Sequence, residues 1–479
     1  MLQKIKINSG INKAISVISK NMNSKNLLIH NDINYKTVFE SYMHSFLSQD
    51  KIVRKLFHDI SKSKTNEIYN LDSNLKKRIL NEFLSNNKLN IDIKTKINSR
   101  ENKFFLFKFK KFFTTNNVNK TSNFSFSNND FIIPIYNSRG YNFFYQLLGS
   151  KKKYKFFDFY NHFYNYKNIS KTRFINSRFR MEFISKDIDL NFIKNCISYI
   201  ENFIIKCKPK AIICMEGDNF LDQIFGLLGK KHNIPTICIQ WGSLVNKHPK
   251  ISYTNFSYKY YLAWGTFFSS KLKKYNKKTK FYNVGNIIES KKYNKKNKII
   301  FFLQTVAEPN LDKSNYDQLI ELILWSAKNT KKEIIVRSHP SFYPESTFFK
   351  KIKDYKNIKF HNSSKVPFTK SMKDVVIALA INSSSLIESL LFDVLPIYFV
   401  TNSKLKEFNY DLTKYNNILQ FDDINDVKKK INYYLISKNF KNKIGLIKKN
   451  RSKFIIYSGK KAKKEMIKKI NHIILKRYN

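Results

Sequence analysis

Short apolar runs alternate with longer amphipathic stretches through most of the second half of the chain. Residues 334–336 (IIV) and 375–378 (VVIA) are two of these runs, and both consist only of apolar residues. Such runs are typical of parallel strands that are buried on both faces. The stretches between them are long enough for helices, so the pattern predicts an α/β fold with doubly wound parallel sheets.

The pattern defines two successive series of strands and helices. In the first series, strands are predicted at residues 131–136, 211–215, 236–240, 260–263 and 281–284, with helices that end at Leu148, Cys207 and Lys231. In the second, strands are predicted at residues 298–303, 334–336, 357–360, 375–378 and 395–400, with helices at 313–329 and 425–435 and one that ends at Phe392. Strand–helix–strand connections of this length form right-handed crossovers, so each series predicts its own sheet.

Four regions are expected along the chain. Residues 1–130 combine Lys/Asn/Ser clusters with short apolar stretches, one glycine and no proline, which indicates a mainly helical region. Residues 131–285 and 286–440 are expected to be Rossmann-like domains that face each other across a cleft. Residues 441–479 are expected to be a basic amphipathic helix. Such a helix can lie on an anionic membrane or pack across the domain junction, and we favour packing.

The composition bounds the class of protein. A chain of 479 residues suits two large domains, and a hydrophobic content of 42% excludes overall disorder. The net charge of +53 has the sign that nucleic acid or anionic lipid would attract. Its lysines, however, are spread over the whole chain among many Asn, Ile, Phe and Tyr residues, all of which have A/T-rich codons. We therefore attribute the charge to base composition and expect no specific nucleic-acid partner.

The four cysteines, Cys196, Cys207, Cys214 and Cys238, lie singly in apolar stretches without CxxC spacing. This pattern argues against a zinc site or a disulfide framework, so we expect no metal and a reducing compartment. No uninterrupted run of about 18 apolar residues is present, as a membrane-spanning helix would require. The expected location is the cytoplasm, with peripheral contact at the inner face of the cell membrane left open.

Polar residues follow the predicted strands of the second domain at their carboxyl ends. Arg337, His339 and Pro340 come directly after one strand, and ligands of open α/β sheets bind at that edge. A histidine there can donate to a phosphate or a sugar hydroxyl, or it can be a buried or capping residue. The same dipeptide at His248 and Pro249 follows no predicted strand, so context distinguishes His339.

A second polar cluster, Asn382, Ser383, Ser384 and Ser385, precedes a predicted helix. Serine hydroxyls and the free backbone N–H groups of a helix start form an anion site. Glu388, about one turn further on, is expected to accept hydrogen bonds from ribose hydroxyls. Alternatively, Ser385 and Glu388 form a capping box, which leaves other donors free for a ligand.

In the first domain, Glu216, Gly217 and Asp218 follow a predicted strand. A carboxylate at this edge, beside a glycine that lets a substrate approach the backbone, is a candidate general base for a hydroxyl nucleophile. We favour Glu216, with Asp218 as the alternative base or as the N-cap of the next helix.

Further residues are expected on the cleft because they end other strands. They are Gln240, Trp241, Gly242 and Ser243 on the acceptor side, with Gln304 and Thr305 on the donor side. The indole of Trp241 can stack on a sugar ring, or it can serve packing.

From about residue 190 to 440 the chain resembles GT-B glycosyltransferases of bacterial surface-polysaccharide synthesis, especially the sialyltransferases, polysialyltransferases and capsule Kdo transferases. The motifs that carry the resemblance are Glu216-Gly217, His339-Pro340 and Ser383-Ser384-Ser385. It implies a carboxylate base in the first domain, and a His-Pro motif and serines that hold the cytidine monophosphate part of a CMP-sugar donor. It also implies an inverting, metal-independent transfer without a cofactor. Met215 occupies the place of the first acid of the family's acidic pair.

We therefore expect a glycosyltransferase that moves a sugar, with a CMP-activated acidic sugar as the expected donor, to a hydroxyl of a surface polysaccharide or lipopolysaccharide. Its partners would be the nucleotide-sugar donor and a glycan or glycolipid acceptor. Positive charge throughout the cleft would suit an anionic donor and a polyanionic acceptor.

Three alternatives remain. A CDP-glycerol-type glycerophosphotransferase of teichoic acid synthesis shares this architecture, but such enzymes bring a Trp-His-Gly type turn, whereas Gln240-Trp241-Gly242 lacks the histidine. Nucleotide-sugar epimerases of the same fold use a glycine-rich anion loop, and residues 382–385 contain no glycine. A noncatalytic basic protein that binds RNA or anionic membrane could retain a transferase-like fold.

Overall fold

The computed structural model describes most of the chain. The described residues are 7–49, 51–61, 68–71, 74–95, 131–134, 138–149, 154–158, 162–164, 190–217, 220–242, 251–291, 293, 297–304, 313–340, 343–381, 383–399 and 419–476. Helices and strands are numbered below in chain order among these residues.

The described part of the N-terminal region is mainly helical. Its elements are α1 (Ile7–Ser24), β1 (Ile29–His30), β2 (Ile33–Asn34), α2 (Lys36–Gln49), α3 (Lys51–Ser61), β3 (Tyr69–Leu71), α4 (Asn74–Asn86) and β4 (Ile93–Thr95). The ring of Tyr42 on α2 packs edge-on against Phe220 of the next domain, with 4.9 Å between ring centroids. The helical region therefore shares a continuous apolar core with the domain that follows it.

A seven-stranded sheet forms the centre of the first domain. Its strands are β5 (Phe131–Pro134), β6 (Tyr154–Asp158), β7 (His162–Tyr164), β8 (Ala211–Met215), β9 (Thr236–Ile239), β10 (Tyr260–Ala263) and β11 (Lys280–Asn283). They lie in the order β11-β10-β9-β8-β5-β6-β7, and all neighbours except β6 and β7 run parallel. The helices are α5 (Ser138–Leu148), α6 (Leu190–Cys207), α7 (Phe220–Lys231), α8 (Ile251–Thr254) and α9 (Thr266–Lys273).

A six-stranded parallel sheet forms the centre of the second domain. Its strands are β12 (Lys298–Phe302), β13 (Glu333–Arg337), β14 (Ile358–His361), β15 (Val375–Ala380), β16 (Leu395–Phe399) and β17 (Leu419–Phe421), in the order β14-β13-β12-β15-β16-β17. The helices are α10 (Lys313–Asn329), α11 (Ser346–Ile352), α12 (Phe368–Ser371), α13 (Ser385–Ser389) with a 3₁₀ turn at Leu390–Phe392, and α14 (Ile424–Leu435). β15 is buried at all six positions, which explains its uniformly apolar sequence.

Both sheets are doubly wound. Each begins near its middle, extends outward through its second and third strands, and then returns to build the other side from the fourth strand onward. The direction reverses between β5 and β8 in the first sheet and between β12 and β15 in the second. A crevice opens beyond the carboxyl ends of the strands at such a switch point. The predicted fold class, two Rossmann-like domains facing a cleft with a mainly helical N-terminal region and a C-terminal helix, is confirmed.

Two further helices follow, α15 (Ser437–Phe454) and α16 (Gly459–Leu475). The expected boundary between residues 440 and 441 therefore falls inside α15, and the single helix expected over 441–479 was wrong. The apolar face of α15 is hard to recognise in the sequence because lysines and asparagines interrupt it. That face includes the buried residues Ile444, Ile447 and Phe454.

Helix α16 returns to the first domain and covers one face of its sheet. Met466, Ile470 and Ile473 are buried there against residues such as Ile133 of β5 and Ile213 of β8. The apolar face is therefore occupied, and packing accounts for the amphipathic pattern of this helix. Within the described ranges, no helix combines the length and the apolar character needed to cross a membrane.

Two chain segments connect the domains and meet each other: residues 284–289 before β12, and residues 455–459 between α15 and α16. The backbone N–H of Asn286 donates to the Tyr457 carbonyl oxygen at 2.9 Å, and the N–H of Gly459 donates to the Asn286 carbonyl oxygen at 3.0 Å. Gly285 has a φ of +85°, and a Cβ at this position would collide with the Tyr457 carbonyl oxygen. Glycine is thus required for the close approach of the two connections.

Candidate functional site

A cleft of about 730 Å³ lies between the carboxyl ends of the two sheets. The first domain and α16 line it with Asn142, Phe143, Gln146, Glu216, Gln240, Trp241, Gly242, Trp264 and Met466. The second domain lines it with Phe302, Leu303, Gln304, Arg337, Ser338, His339, Pro340, Ser363, Phe368, Ser383, Ser384, Ser385 and Glu388. Asn286, Ile287 and Ile288 of the first connection lie between the two halves.

Most of the predicted site residues that the structure describes therefore line one cleft. Gly217 is buried directly behind Glu216. Four predicted residues, Asp218, Ser243, Thr305 and Asn382, lie outside the described residues.

Glu216 occupies a sharp turn after β8. The φ angles of Glu216 and Gly217 are +70° and +79°, in the left-handed region that residues other than glycine rarely adopt. The N–H of Gly217 donates to the Met215 carbonyl oxygen at 2.8 Å, and Nε2 of Gln223 donates to the Gly217 carbonyl oxygen at 2.9 Å. Backbone strain of this kind is concentrated at functional sites, so the turn supports a functional role for the Glu216 carboxylate.

Gln240 was expected on the acceptor side, but its side chain is used inside the protein. The residue is only 1% exposed; Nε2 donates to the Gly242 carbonyl oxygen at 2.8 Å, and Oε1 accepts from the backbone N–H of Trp264 at 2.8 Å. Gln240 therefore shapes the turn that holds the neighbouring Trp241. The Trp241 ring stands edge-on to Phe143, with 5.3 Å between centroids, so it packs and faces the cleft at once.

Arg337 carries positive charge to the cleft from the end of β13. It is 8% exposed, and Nη1 donates to the Val366 carbonyl oxygen at 2.7 Å and to Ser371 Oγ at 2.8 Å. Its guanidinium lies over the Phe368 ring at 5.8 Å. Burial lowers the pKa of Arg337 to about 10, against the opposing effect of Glu388, so the group stays charged at neutral pH. Both bonds use Nη1, and the donors on Nε and Nη2 have no partner among the described residues.

His361 continues this network behind the cleft. Its Nδ1 lies 2.9 Å from the same Ser371 hydroxyl that Arg337 contacts. Burial, and then the charge of Arg337, lower the pKa of His361 below its ordinary value. A neutral imidazole at this position fixes the Ser371 hydroxyl without adding charge, and the hydroxyl in turn orients Arg337.

The serine cluster does not form the capping box that was one of the two predictions. The hydroxyl of Ser383 accepts from the backbone N–H of Ser385 at 3.2 Å, and α13 has no side-chain cap. The reason is that Ser384 already has a helical backbone, while Glu388 contacts the interdomain connection instead. Ser384 and Ser385 line the cleft, and their hydroxyls have no hydrogen-bond partner among the described residues.

Glu388 is a carboxyl of the cleft lining whose pKa is strongly shifted. Burial raises its pKa from 4.5 to about 7, although a hydrogen bond from Asn286 and the charge of Arg337 act in the opposite direction. Nδ2 of Asn286 donates to Oε1 of Glu388 at 3.5 Å. A carboxyl whose pKa is shifted by burial, placed in a cleft beside a charged partner, is a candidate functional residue, and Glu388 meets this description.

The cleft is far less basic than the composition suggests. Among its described lining residues, Arg337 is the only Lys or Arg, and it is joined by the carboxyls of Glu216 and Glu388. The expectation of positive charge throughout the cleft was therefore wrong for this lining, which includes no lysine. Among the described residues, no group of three or more His, Cys, Asp or Glu residues could hold a metal ion.

Sequence reasoning missed several lining residues, among them Asn142, Gln146, Asn286, Ser363 and Phe368. A signal existed for the first two, because a helix that follows the strand at a switch point flanks the crevice. No signal marked Asn286, since its position depends on two connections that are far apart in the sequence.

Comparisons with known proteins show likeness at the level of overall fold. No protein-family model matches the chain, and no curated protein sequence matches it significantly. Among solved structures, the chain is similar to the UDP-GlcNAc 2-epimerase of Neisseria meningitidis bound to UDP-GlcNAc, with 12% identity over 72% of this chain and 99% of that one and a TM-score of 0.46.

Two further solved structures are also similar. The lipopolysaccharide outer core galactosyltransferase WaaB matches with 12% identity, 72% and 99% coverage and a TM-score of 0.43. TarM matches with 13% identity, covering 90% of this chain and 95% of its own, with a TM-score of 0.38. Because the sequence identities and TM-scores are this low, the fold is described from the two sheets of this chain. The chemistry of the site is argued from the residues of the cleft.

Proposed function

We propose that the protein is a glycosyltransferase that moves a sugar from a nucleotide donor to an acceptor hydroxyl. The observation that carries this proposal is that Glu216 of the first domain lines the same cleft as Arg337, Ser384 and Glu388 of the second. Such a transfer requires a base for the hydroxyl on one side, and on the other side groups that bind phosphate and ribose.

The second domain supplies the donor side in this proposal. The Nε and Nη2 groups of Arg337 and the hydroxyls of Ser384 and Ser385 would bind the phosphate, with His339 as a further donor. The Glu388 carboxylate would accept hydrogen bonds from ribose hydroxyls. Because Arg337 is buried, its interaction with a phosphate is screened by water far less than that of a surface lysine.

In the proposed step, the Glu216 carboxylate takes the proton of the acceptor hydroxyl. At the same time, the oxygen of that hydroxyl bonds to the anomeric carbon of the donor sugar. The bond from that carbon to the phosphate oxygen breaks, and its electron pair leaves with the nucleotide. Attack opposite the leaving group inverts the anomeric configuration. Arg337 and the serine hydroxyls would stabilise the developing negative charge, so this step uses no metal ion. Asp218 is the alternative base.

We further propose a CMP-activated acidic sugar as the donor, and a hydroxyl of a surface polysaccharide or lipopolysaccharide as the acceptor. What supports this finer proposal is that the three motifs Glu216-Gly217, His339-Pro340 and Ser383-Ser384-Ser385 all lie on or directly behind one cleft. A UDP-sugar is the competing donor.

The test is to incubate the purified protein with CMP-, UDP- and GDP-sugars, each with a mixture of glycan acceptors, and to follow nucleotide release and product mass. We expect release and a matching glycosylated product with one nucleotide class. If no donor is consumed while RNA or anionic vesicles bind in a salt-sensitive manner, the noncatalytic alternative is correct. Turnover of UDP-sugars alone would retain the transferase and overturn the CMP assignment.

A further inference from the structure

Helix α5 presents two side-chain amides to the first-domain half of the cleft. Asn142 and Gln146 are four residues apart, which places them on one face of the helix, and both are exposed and line the cleft. The opposite face of the helix is anchored by Phe144 and Leu147, which are buried in the core of the first domain. Neither amide has a hydrogen-bond partner among the described residues.

Aromatic rings lie beside these amides. The Trp241 ring is held edge-on to Phe143, with an interplanar angle of 89°, and it is only half-buried. Trp264 lines the same side, and its indole N–H donates to the Gln240 carbonyl oxygen at 3.1 Å. The Trp241 ring is therefore fixed in orientation with part of its apolar surface available to a ligand, whereas Phe143 and Trp264 are buried, at 8% and 2% exposed. We call Asn142, Phe143, Gln146, Trp241 and Trp264 the acceptor subsite.

The chemistry of this subsite suits an uncharged sugar. A carboxamide both donates and accepts hydrogen bonds, as a sugar hydroxyl does, and the apolar C–H face of a sugar ring can pack on an aromatic side chain. Glu216 lines the same half of the cleft, and none of the five residues of the subsite is Lys or Arg. An anionic sugar would bring a like charge towards Glu216 without a compensating cation from the subsite.

We propose that the acceptor subsite binds an uncharged sugar residue, so that the acceptor end of the glycan is neutral even if the donor sugar is acidic. The identification of the bound sugar as the acceptor rests on the proposed function. The binding of a neutral glycan to these residues can nevertheless be measured without turnover. Glu216, at the edge of the subsite, would then receive the proton of one hydroxyl of that sugar.

The test is direct binding of matched oligosaccharides, in which neutral gluco-, galacto- and manno-trisaccharides are each compared with the counterpart oxidised to the uronate at C6. Titration calorimetry is run with and without CMP. We expect a neutral member to bind at least about tenfold more tightly than its uronate partner, since the uronate meets a like charge. Equal or tighter binding of the uronates, or no binding of any neutral member, would overturn the proposal.

Variants locate the site. Gln146→Ala is expected to weaken neutral-glycan binding about tenfold through the loss of one hydrogen bond to the sugar, and Trp241→Ala at least as much. Asn195→Ala, an exposed amide on α6 outside the cleft lining, is the matched control and should change nothing. Gln146→Arg should raise uronate affinity. Retained CMP or UDP binding shows that each variant is folded, and glycan binding unaffected by Gln146→Ala and Trp241→Ala would contradict the assignment.

The two proposals fail separately. Sugar transfer that strictly requires an anionic acceptor overturns the neutral subsite and leaves the transferase intact. Neutral-glycan binding that depends on Gln146 and Trp241, without turnover of any nucleotide sugar, leaves the subsite intact and overturns the transferase.

Discussion

Asn286 in the first interdomain connection donates its side-chain amide to the Glu388 carboxyl of the second domain, at 3.5 Å. The backbone of Asn286 also holds the second connection, through the Tyr457 carbonyl oxygen and the Gly459 N–H. One buried residue thus joins both connections to the carboxyl proposed to bind ribose. A ligand that replaces the long Asn286–Glu388 bond would act directly on the point where the two domains are joined.

The raised pKa of Glu388 predicts a specific dependence on pH. Because its pKa rises from 4.5 to about 7 on folding, the folded protein holds this proton more tightly than the unfolded chain. Relative to Glu388→Gln, the stability of the natural protein should therefore fall as pH rises between these values, by on the order of 3 kcal/mol. Denaturant unfolding of both proteins across this range measures the difference; a constant difference would show that the pKa is not raised.

The same carboxyl predicts a pH profile for nucleotide binding. If the ionised carboxylate accepts ribose hydroxyls, CMP or UDP binding strengthens as pH rises through about 7. In Glu388→Gln this component disappears. The comparison should use the 2′,3′-dideoxy nucleotide, which lacks the hydroxyls and should be indifferent to the substitution. A dideoxy nucleotide with the same pH profile as CMP would contradict the ribose contact.

Gly217 is predicted to be intolerant of substitution. Its φ is +79°, and a Cβ would lie 2.7 Å from Cys238 Sγ and 2.9 Å from Cε2 of Tyr258. Gly217→Ala should lower the free energy of unfolding by about 1–3 kcal/mol. Gly445→Ala is the matched control, because this glycine lies inside α15 with nothing within 4 Å of the added Cβ, and it should stabilise by about 0.5–1 kcal/mol. Equal effects in the two variants would refute the packing argument.

Arg337 should not be replaceable by lysine. A lysine cannot contact Val366 and Ser371 and still direct donors to a phosphate, so Arg337→Lys should weaken nucleotide binding roughly ten- to a hundredfold. Arg451→Lys is the control, because Arg451 contacts Asp393 at 3.4 Å and does not line the cleft. Fluorescence or calorimetric titration with CMP and UDP measures both variants, and an equal loss in the two would argue against a role for Arg337 in binding.

The packing of α16 is tested by truncating its buried face. Ile470 is fully buried, so Ile470→Ala should lower the free energy of unfolding by about 2–5 kcal/mol. Leu475 at the end of the same helix is 63% exposed, and Leu475→Ala should change the free energy of unfolding by less than about 0.5 kcal/mol. A small effect at Ile470 would mean that α16 does not cover the sheet in solution.

The sheets were predictable because their central strands are buried on both faces. The run in β15 could only be a buried element, and the polar residues after it had to reach the sheet edge. Strands β6 and β7 form one end of the first sheet, and their sequences, YKFFD and HFY, contain no long apolar run, so the sequence did not reveal them. Helix α15 was missed for a related reason, since lysines, asparagines and other polar residues far outnumber its apolar ones.

The candidate site was predictable only where a residue directly follows a strand. Glu216, Arg337 and the serines meet that condition, and the chain topology then brings them to one cleft. The contact of Asn286 with Glu388 joins residues far apart in sequence, and the burial that raises the pKa of Glu388 comes from tertiary packing. The structural role of Gln240 likewise depends on its contact with Trp264, which follows β10.

The proposed role of Glu216 as the base is tested most directly by measuring the turnover of Glu216→Gln with whichever nucleotide sugar the protein consumes. Nucleotide binding by the same variant is measured alongside. Glutamine keeps the size of the side chain but cannot take a proton, so we expect unchanged nucleotide binding and a rate reduced about 10²–10⁴-fold. His339→Ala, by contrast, should weaken nucleotide binding. Glu345→Gln, at an exposed glutamate without a side-chain cap bond, controls for the chemical change. Undiminished turnover in Glu216→Gln would show that Glu216 is not the base.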